Sequence, residues 1–196
     1  MQNSLVWPVL ASLLIATSSL LAKAEDPAPR PSAEAQETHL QNLKQLTFGG
    51  QNAEAYFSYD GTKLIFQSSR PPYQCDQIFS MNTDGTDVKL LSTGKGRTTC
   101  GFFFPDGKRF IYASTHLSRD ACPPVPDRSR GYVWPIYASY EIFSANLDGS
   151  GLTRLTKSPG YDAEATISPD GKKIAYLRRV QKNGSTYNQI FVVGTF

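Results

Sequence analysis

From Leu46 onward the chain consists of short apolar runs punctuated by polar, glycine-bearing turns. One phrase occurs three times: Ser58-Tyr59-Asp60-Gly61-Thr62-Lys63-Leu64-Ile65-Phe66, Phe104-Pro105-Asp106-Gly107-Lys108-Arg109-Phe110-Ile111-Tyr112 and Ser168-Pro169-Asp170-Gly171-Lys172-Lys173-Ile174-Ala175-Tyr176. An Asp-Gly turn between two apolar runs is a strong hairpin signal, because Gly accepts positive φ without a steric cost and Asp tolerates it. Each unit opens on an apolar-Thr/Ser pair (Leu46-Thr47, Leu91-Ser92, Leu155-Thr156). A polar loop follows, then a first strand predicted at 53–58, 99–104 and 163–168, then the turn and a second strand. Gln77-Ile78-Phe79, Glu141-Ile142-Phe143 and Gln189-Ile190-Phe191 mark third strands. The first two run into Asp84-Gly85 and Asp148-Gly149 and then a short fourth strand. The fold class is therefore all-β, with β-propeller blades of four antiparallel strands, about three blades in number, an incomplete propeller. The predicted blades cover about 43–88, 89–152 and 153–196.

Spacing adds one detail. Asp60 and Asp106 are 46 residues apart, ordinary for a four-stranded blade, whereas Asp106 and Asp170 are 64 apart. The excess lies in one segment, 115–139, between the second and third strands of the middle unit. The strands are rich in aromatics, among them Tyr56, Phe57, Phe66, Phe79, Phe102, Phe103, Phe104, Phe110, Tyr112, Phe143, Tyr176 and Phe191. Blades pack face to face, so these are read as core rather than as a stacking pocket.

The first 24 residues are of another kind. Val9–Leu21 is an apolar run of secretory length, Ala22-Lys23-Ala24 fits a cleavage site, and the run is too short to span a membrane. Residues 1–24 are expected to be a signal peptide and the product periplasmic or secreted, with no membrane span after cleavage. Residues 25–42, with Pro27, Pro29 and Pro31, read as a flexible linker. The formal net charge of +3 is weak and forms no basic stripe, so nucleic acid is not an expected partner.

The Leu-Thr pair, the S/F-P/Y-D-G-K/T turn, the Ile-Phe third strand and the N-x-D-G turn together resemble TolB-type propeller repeats, relatives of the WD-repeat propellers. The likeness covers residues 43–196. The resemblance implies one of two roles. One is an exported scaffold that binds a protein, peptide or glycan and is non-catalytic by itself. The alternative is the N-terminal propeller of a larger prolyl-oligopeptidase-like serine hydrolase. TolB-type rings commonly have six blades, and three units are too few to close one. The expectation is a truncated gene product or fragment, ahead of a two-chain ring or an open arc with covered edges. Open blade edges also make self-association an expectation.

No catalytic set is visible. G-x-S-x-G, H-E-x-x-H and a phosphate-cradling glycine loop are all missing from the sequence, so neither a catalytic residue, a metal nor a cofactor is expected. His39 and His116 read as lone, solvated loop residues. Glu54 and Glu164 share a repeat position, six residues before the turn Asp, and the middle unit places Cys100 there. Two carboxylates at a channel mouth could bind a cation or basic group; the simpler reading is that each orders its own loops. In an exported chain, Cys75, Cys100 and Cys122 suggest one disulfide with one thiol left over. Cys100–Cys122, within one blade, ranks ahead of Cys75–Cys100, although spacing does not fix the pairing. The insertion carries four prolines, Cys122, Tyr132 and Trp134. It is either a rigid recognition surface with aromatic anchors or a lid folded over its blade.

Overall fold

A computed structural model describes residues 39–195. The expected signal peptide, and the linker apart from residues 39–42, lie outside the described residues. Residues 1–43 and 44–196 form separate units; in the first, the described residues 39–43 carry no regular element.

The second unit holds eleven strands in three antiparallel sheets. The first sheet orders β1 (Gln51–Phe57), β2 (Lys63–Ser69), β3 (Gln77–Asn82) and β4 (Lys89–Leu90) side by side. The second repeats this with β5 (Thr98–Phe103), β6 (Arg109–Ser114), β7 (Glu141–Asn146) and β8 (Thr153–Arg154). The third has β9 (Asp162–Ile167), β10 (Lys173–Lys182) and β11 (Ser185–Gly194). β5 packs on β1, β2 and β3, and β9 on β5, β6 and β7, so each sheet lies against the one before it.

The repeated phrase is a local hydrogen-bond device. In the first unit Ser58 N donates to Lys63 O at 2.8 Å, Gly61 N to Ser58 O at 2.9 Å, and Thr62 N to Asp60 Oδ1 at 3.0 Å. The equivalent bonds recur around Asp106 and Asp170. The three glycines take φ of 71°, 65° and 71°, where a Cβ would clash with its own carbonyl. The apolar-Thr/Ser pair has an equally local cause. Ile78 N donates to Ser92 Oγ at 3.0 Å and Ile142 N to Thr156 Oγ1 at 2.9 Å. Each hydroxyl then donates to the side chain that opens the third strand, Gln77 or Glu141. The short fourth segment is thereby tied to the third strand where the backbone ladder gives out.

The core fills the spaces between sheets. Ile65, Ile78 and Leu91 of the first sheet meet Phe103, Phe110, Tyr112 and Phe143 of the second. Phe104, Ile111 and Ile142 of the second meet Ala165, Ile167, Ile174 and Tyr176 of the third. Most of the strand aromatics are thus core, as their continuous apolar runs indicated. Tyr56 and Phe57 are exceptions, 38% and 64% exposed on β1. The far face of the first sheet buries Leu64, Phe66, Phe79 and Met81 beneath Leu46 and Tyr73, with the Arg70 guanidinium over both phenyl rings. Residues 44–47 form no strand: Leu46 packs on this face and Lys44 Nζ donates to Asp84 O at 2.8 Å.

Candidate binding cavity under the insertion

Each first strand carries an irregularity that sequence spacing flagged without revealing its geometry. Register shifts between Ala53 and Tyr56, and between Thr99 and Phe102, mark β-bulges, and β9 bulges where it pairs with β10. Glu54, Cys100 and Glu164 occupy them at φ of 54°, 53° and 59°, a left-handed conformation costly for a residue with a Cβ. The next residue is small each time: Ala55, Gly101, Ala165. At Gly101 a Cβ would come within 2.8 Å of Ile78 Cγ2 and 3.1 Å of Ile65 Cδ1, so the bulge lets β5 press onto the first sheet. The strain recurs in all three units with packing on its inner side.

Each carboxylate has a tyrosine partner. Glu54 Oε2 accepts from Tyr56 Oη at 2.5 Å, and Glu164 Oε1 accepts from Tyr161 Oη at 3.4 Å. Both lie near enough to Cys100 to disfavour its thiolate, adding to the burial that pushes this thiol up to about 12. Cys100 is 6% exposed, with Thr99 Oγ1 at 3.1 Å from its sulfur. No group of three or more metal-ligating side chains occurs among the described residues.

The expected Cys100–Cys122 pairing is corrected. The disulfide joins Cys75 to Cys122, and Cys100 is the free thiol. Cys100 is buried where β5 packs on the first sheet, and the first part of the insertion is bound to the loop that leads into β5. Gly96 N donates to Asp120 O at 2.7 Å, and Lys95 Nζ pairs with Asp120 Oδ2 at 2.9 Å. That places Cys122 beside Cys75, at the mouth of β3, so the bridge staples two sheets rather than closing a loop within one. The solvated reading of His116 is also corrected. Its ring packs 4.4 Å from the Phe143 ring, its Nδ1 lies 2.8 Å from Ser114 Oγ, and burial lowers its pKa. His39 is exposed.

Tyr132 and Trp134, by contrast, are brought together. Both line a cavity of about 290 Å³ at the end of the sheets where the insertion lies. Its inner wall comes from strand ends: Asn52 of β1, Gln67 of β2 and Thr99 of β5. Tyr140 and Tyr161, just before β7 and β9, close the remaining side. The insertion supplies the outer wall with Arg128, Tyr132, Trp134 and Pro135. It is held there by the disulfide and by Tyr137 Oη donating to Pro124 O at 2.6 Å. The two readings of the insertion merge: it covers the blade end and still leaves Tyr132 73% and Trp134 42% exposed. Arg128 stacks over the Tyr132 ring at 5.4 Å. Glu54 and Glu164 do not line this cavity.

The cavity floor holds an ion pair that the sequence reading missed. Arg97 Nη1 and Asp76 Oδ2 are 2.8 Å apart, their side chains 18% and 16% exposed. Burial raises the Asp76 pKa, outweighing the neighbouring guanidinium that lowers it. Burial, above all, also raises the Tyr140 and Tyr161 phenols, so both are neutral donors at physiological pH. The signal for Gln67 was present, a carboxamide ending the apolar run Leu64-Ile65-Phe66, but nothing in the sequence says where it points.

Comparison with known proteins places the architecture. No family model matches the chain, and no curated protein matches it. Among solved structures, TolB from Acinetobacter baumannii is 27% identical with a TM-score of 0.54, over 76% of this chain and 31% of that one. A putative TolB from Agrobacterium tumefaciens is 20% identical with a TM-score of 0.54, over 76% of this chain and 47% of that one. Hydrazine synthase of Kuenenia stuttgartiensis shares the fold at 15% identity with a TM-score of 0.56, over 77% of this chain and 25% of that one. The chain thus spans 31% and 47% of the length of these two TolB structures. Its three sheets are TolB-like propeller blades, part of a propeller.

Proposed function

We propose that this chain is an exported propeller scaffold that recognises a protein, peptide or glycan at the end carrying the insertion, and is non-catalytic by itself. The observation that carries the reading is the stapled insertion, which sets Tyr132, Trp134 and Arg128 around a cavity. Side chains already held in place lose little entropy on binding, and exposed aromatics with a nearby guanidinium are typical interface anchors. Export is supported by the apolar run ending in Ala22-Lys23-Ala24 and by a disulfide that needs an oxidising compartment. Self-association belongs to the same reading. β11 is an edge strand of its sheet, with Ile190 80% and Val192 62% exposed.

Two measurements test this. Residues 1–24 fused to a phosphatase that is active only outside the cytoplasm should give active enzyme; an inactive, cytoplasmic fusion removes export. Glycan and peptide arrays probed with the wild-type chain and with Y132A/W134A should show ligands lost in the variant. Ligands retained by the variant would move the site elsewhere.

A further inference from the structure

Among the described residues, polar side chains that line the cavity carry hydrogen-bonding groups that no protein group meets. Gln67 is 5% exposed, and its Oε1 accepts from Thr99 Oγ1 at 2.9 Å and from Cys100 N at 3.1 Å. A backbone N–H can only donate, so the amide orientation is fixed and the Nε2 group is turned toward the cavity. Among the described residues no acceptor meets it. Tyr140 is 2% exposed, lines the same cavity, and its hydroxyl likewise has no partner among the described residues. Arg97 Nε is buried and unbonded although Nη1 is paired. Asp76 keeps Oδ1 free as an acceptor beside them. A ligand that displaces water from such an open cavity must replace the hydrogen bonds these groups make to it, so it must itself be polar.

We infer that this cavity is a saccharide subsite, taking one or two pyranose rings of a glycan. This rests on the binding reading above and names its ligand class. Each sugar hydroxyl both donates and accepts, and the lining offers a donor (Gln67 Nε2), an acceptor (Asp76 Oδ1) and a group that does both (Tyr140 Oη). The flat rings of Trp134 and Tyr132 offer an apolar surface to the C–H face of a pyranose while their polar tips stay wet. The volume of about 290 Å³ sits at the small end of ligand pockets, about 300 Å³ upward, which suits one or two rings and not a folded partner. Peptide recognition uses a row of strand backbone groups or a groove with spaced apolar anchors. Here the polar groups are side-chain ends that come from two neighbouring sheets to one cavity.

The test is calorimetric titration and saturation-transfer NMR on the full chain. The probes are methyl β-glucoside, cellobiose, N-acetylglucosamine and glucuronic acid, with the tripeptide Gly-Asp-Gly alongside. At least one saccharide is expected to saturate with a dissociation constant in the millimolar range or tighter. Tyr140→Phe removes one hydroxyl and should weaken it by about tenfold, the equivalent of about 1.4 kcal/mol. Trp134→Ala, at the exposed rim, should weaken it at least as much without altering the melting temperature. Saccharide binding unchanged in both variants overturns the inference. So does binding of the tripeptide with none of the sugars, which leaves the proposed scaffold role standing. If neither class binds, both readings fall.

Discussion

One connection, from second strand to third, is made in three ways. In the third sheet it is Asn183-Gly184, a two-residue turn with φ of 52° and 75° that continues the ladder of two ten-residue strands. In the first sheet it is residues 70–76, ending at the stapled Cys75 and the cavity's Asp76. In the second it is residues 115–140, carrying Cys122, Tyr132 and Trp134. At the opposite end the links from first to second strand are the same five-residue Asp-Gly loop three times over. One end of the array is fixed by turn chemistry and the other is free to vary, so recognition chemistry collects where the chain is under least local constraint.

Unpinning the third sheet gives the sharpest contrast. Its hairpin is tied to β9 by Arg178, whose Nε and Nη2 reach the fully buried Asp162 at 2.7 and 2.6 Å. Asp162→Ala strands a guanidinium and is expected to cost about 3–5 kcal/mol in urea unfolding. A loss under 1 kcal/mol would mean the tight turn alone holds this sheet. Next comes the staple in the second sheet. The bridged residues are 47 apart, and constraining such a loop stabilises by about 4 kcal/mol in the chain-entropy account, so C75A/C122A should lose about 2–4 kcal/mol. An unchanged midpoint would show that the insertion is held by its other contacts. Gly101→Ala probes the contact between the first two sheets. Overpacking against Ile78 and Ile65 should cost about 1–3 kcal/mol, whereas Ala165 and Ala55 already bear a Cβ at the equivalent position.

The smallest effect belongs to the conserved-geometry end. Asp60 is held down to about 2, first by the Ser58 hydroxyl and then by Thr62. Asp84, Asp148 and Asp170 are lowered by the same kind of hydroxyl bond. Their folded pKa values lie below the ordinary carboxylate value. The stabilisation is therefore present above about pH 4 and lost as pH falls toward 2. Melting temperature should decline across that window, and less steeply in Asp60→Asn. An equal decline in the variant would place the acid sensitivity elsewhere.

The same contrast explains what could be read from sequence. Asp60-Gly61, Ser92 with Gln77, and Thr156 with Glu141 act within a few residues or one hairpin, so the blades and their strand order were legible. Tyr132 and Trp134 were legible as exposed aromatics in a Pro-rich loop. Their neighbours were not. Gln67, Arg97 and Tyr140 come from separate strand ends, and only the packing of one sheet on the next makes them neighbours. The cysteine pairing failed for a related reason. Strand order puts all three cysteines near one end, but the packing of β5 on the first sheet buries Cys100, and the fold of the insertion brings Cys122 to Cys75.

That burial bears on how the chain acquires its covalent form. Cys100 lies 25 residues from Cys75 and 22 from Cys122, while the native partners are 47 apart. Loop closure costs about 0.6 kcal/mol more for each doubling of length, so an extended, oxidising chain forms either wrong bridge two to three times as readily as the right one. Packing of β5 on the first sheet buries Cys100 and so takes the third thiol out of that competition in the folded chain. The contact between two blades thus selects the covalent pairing that spacing alone would disfavour.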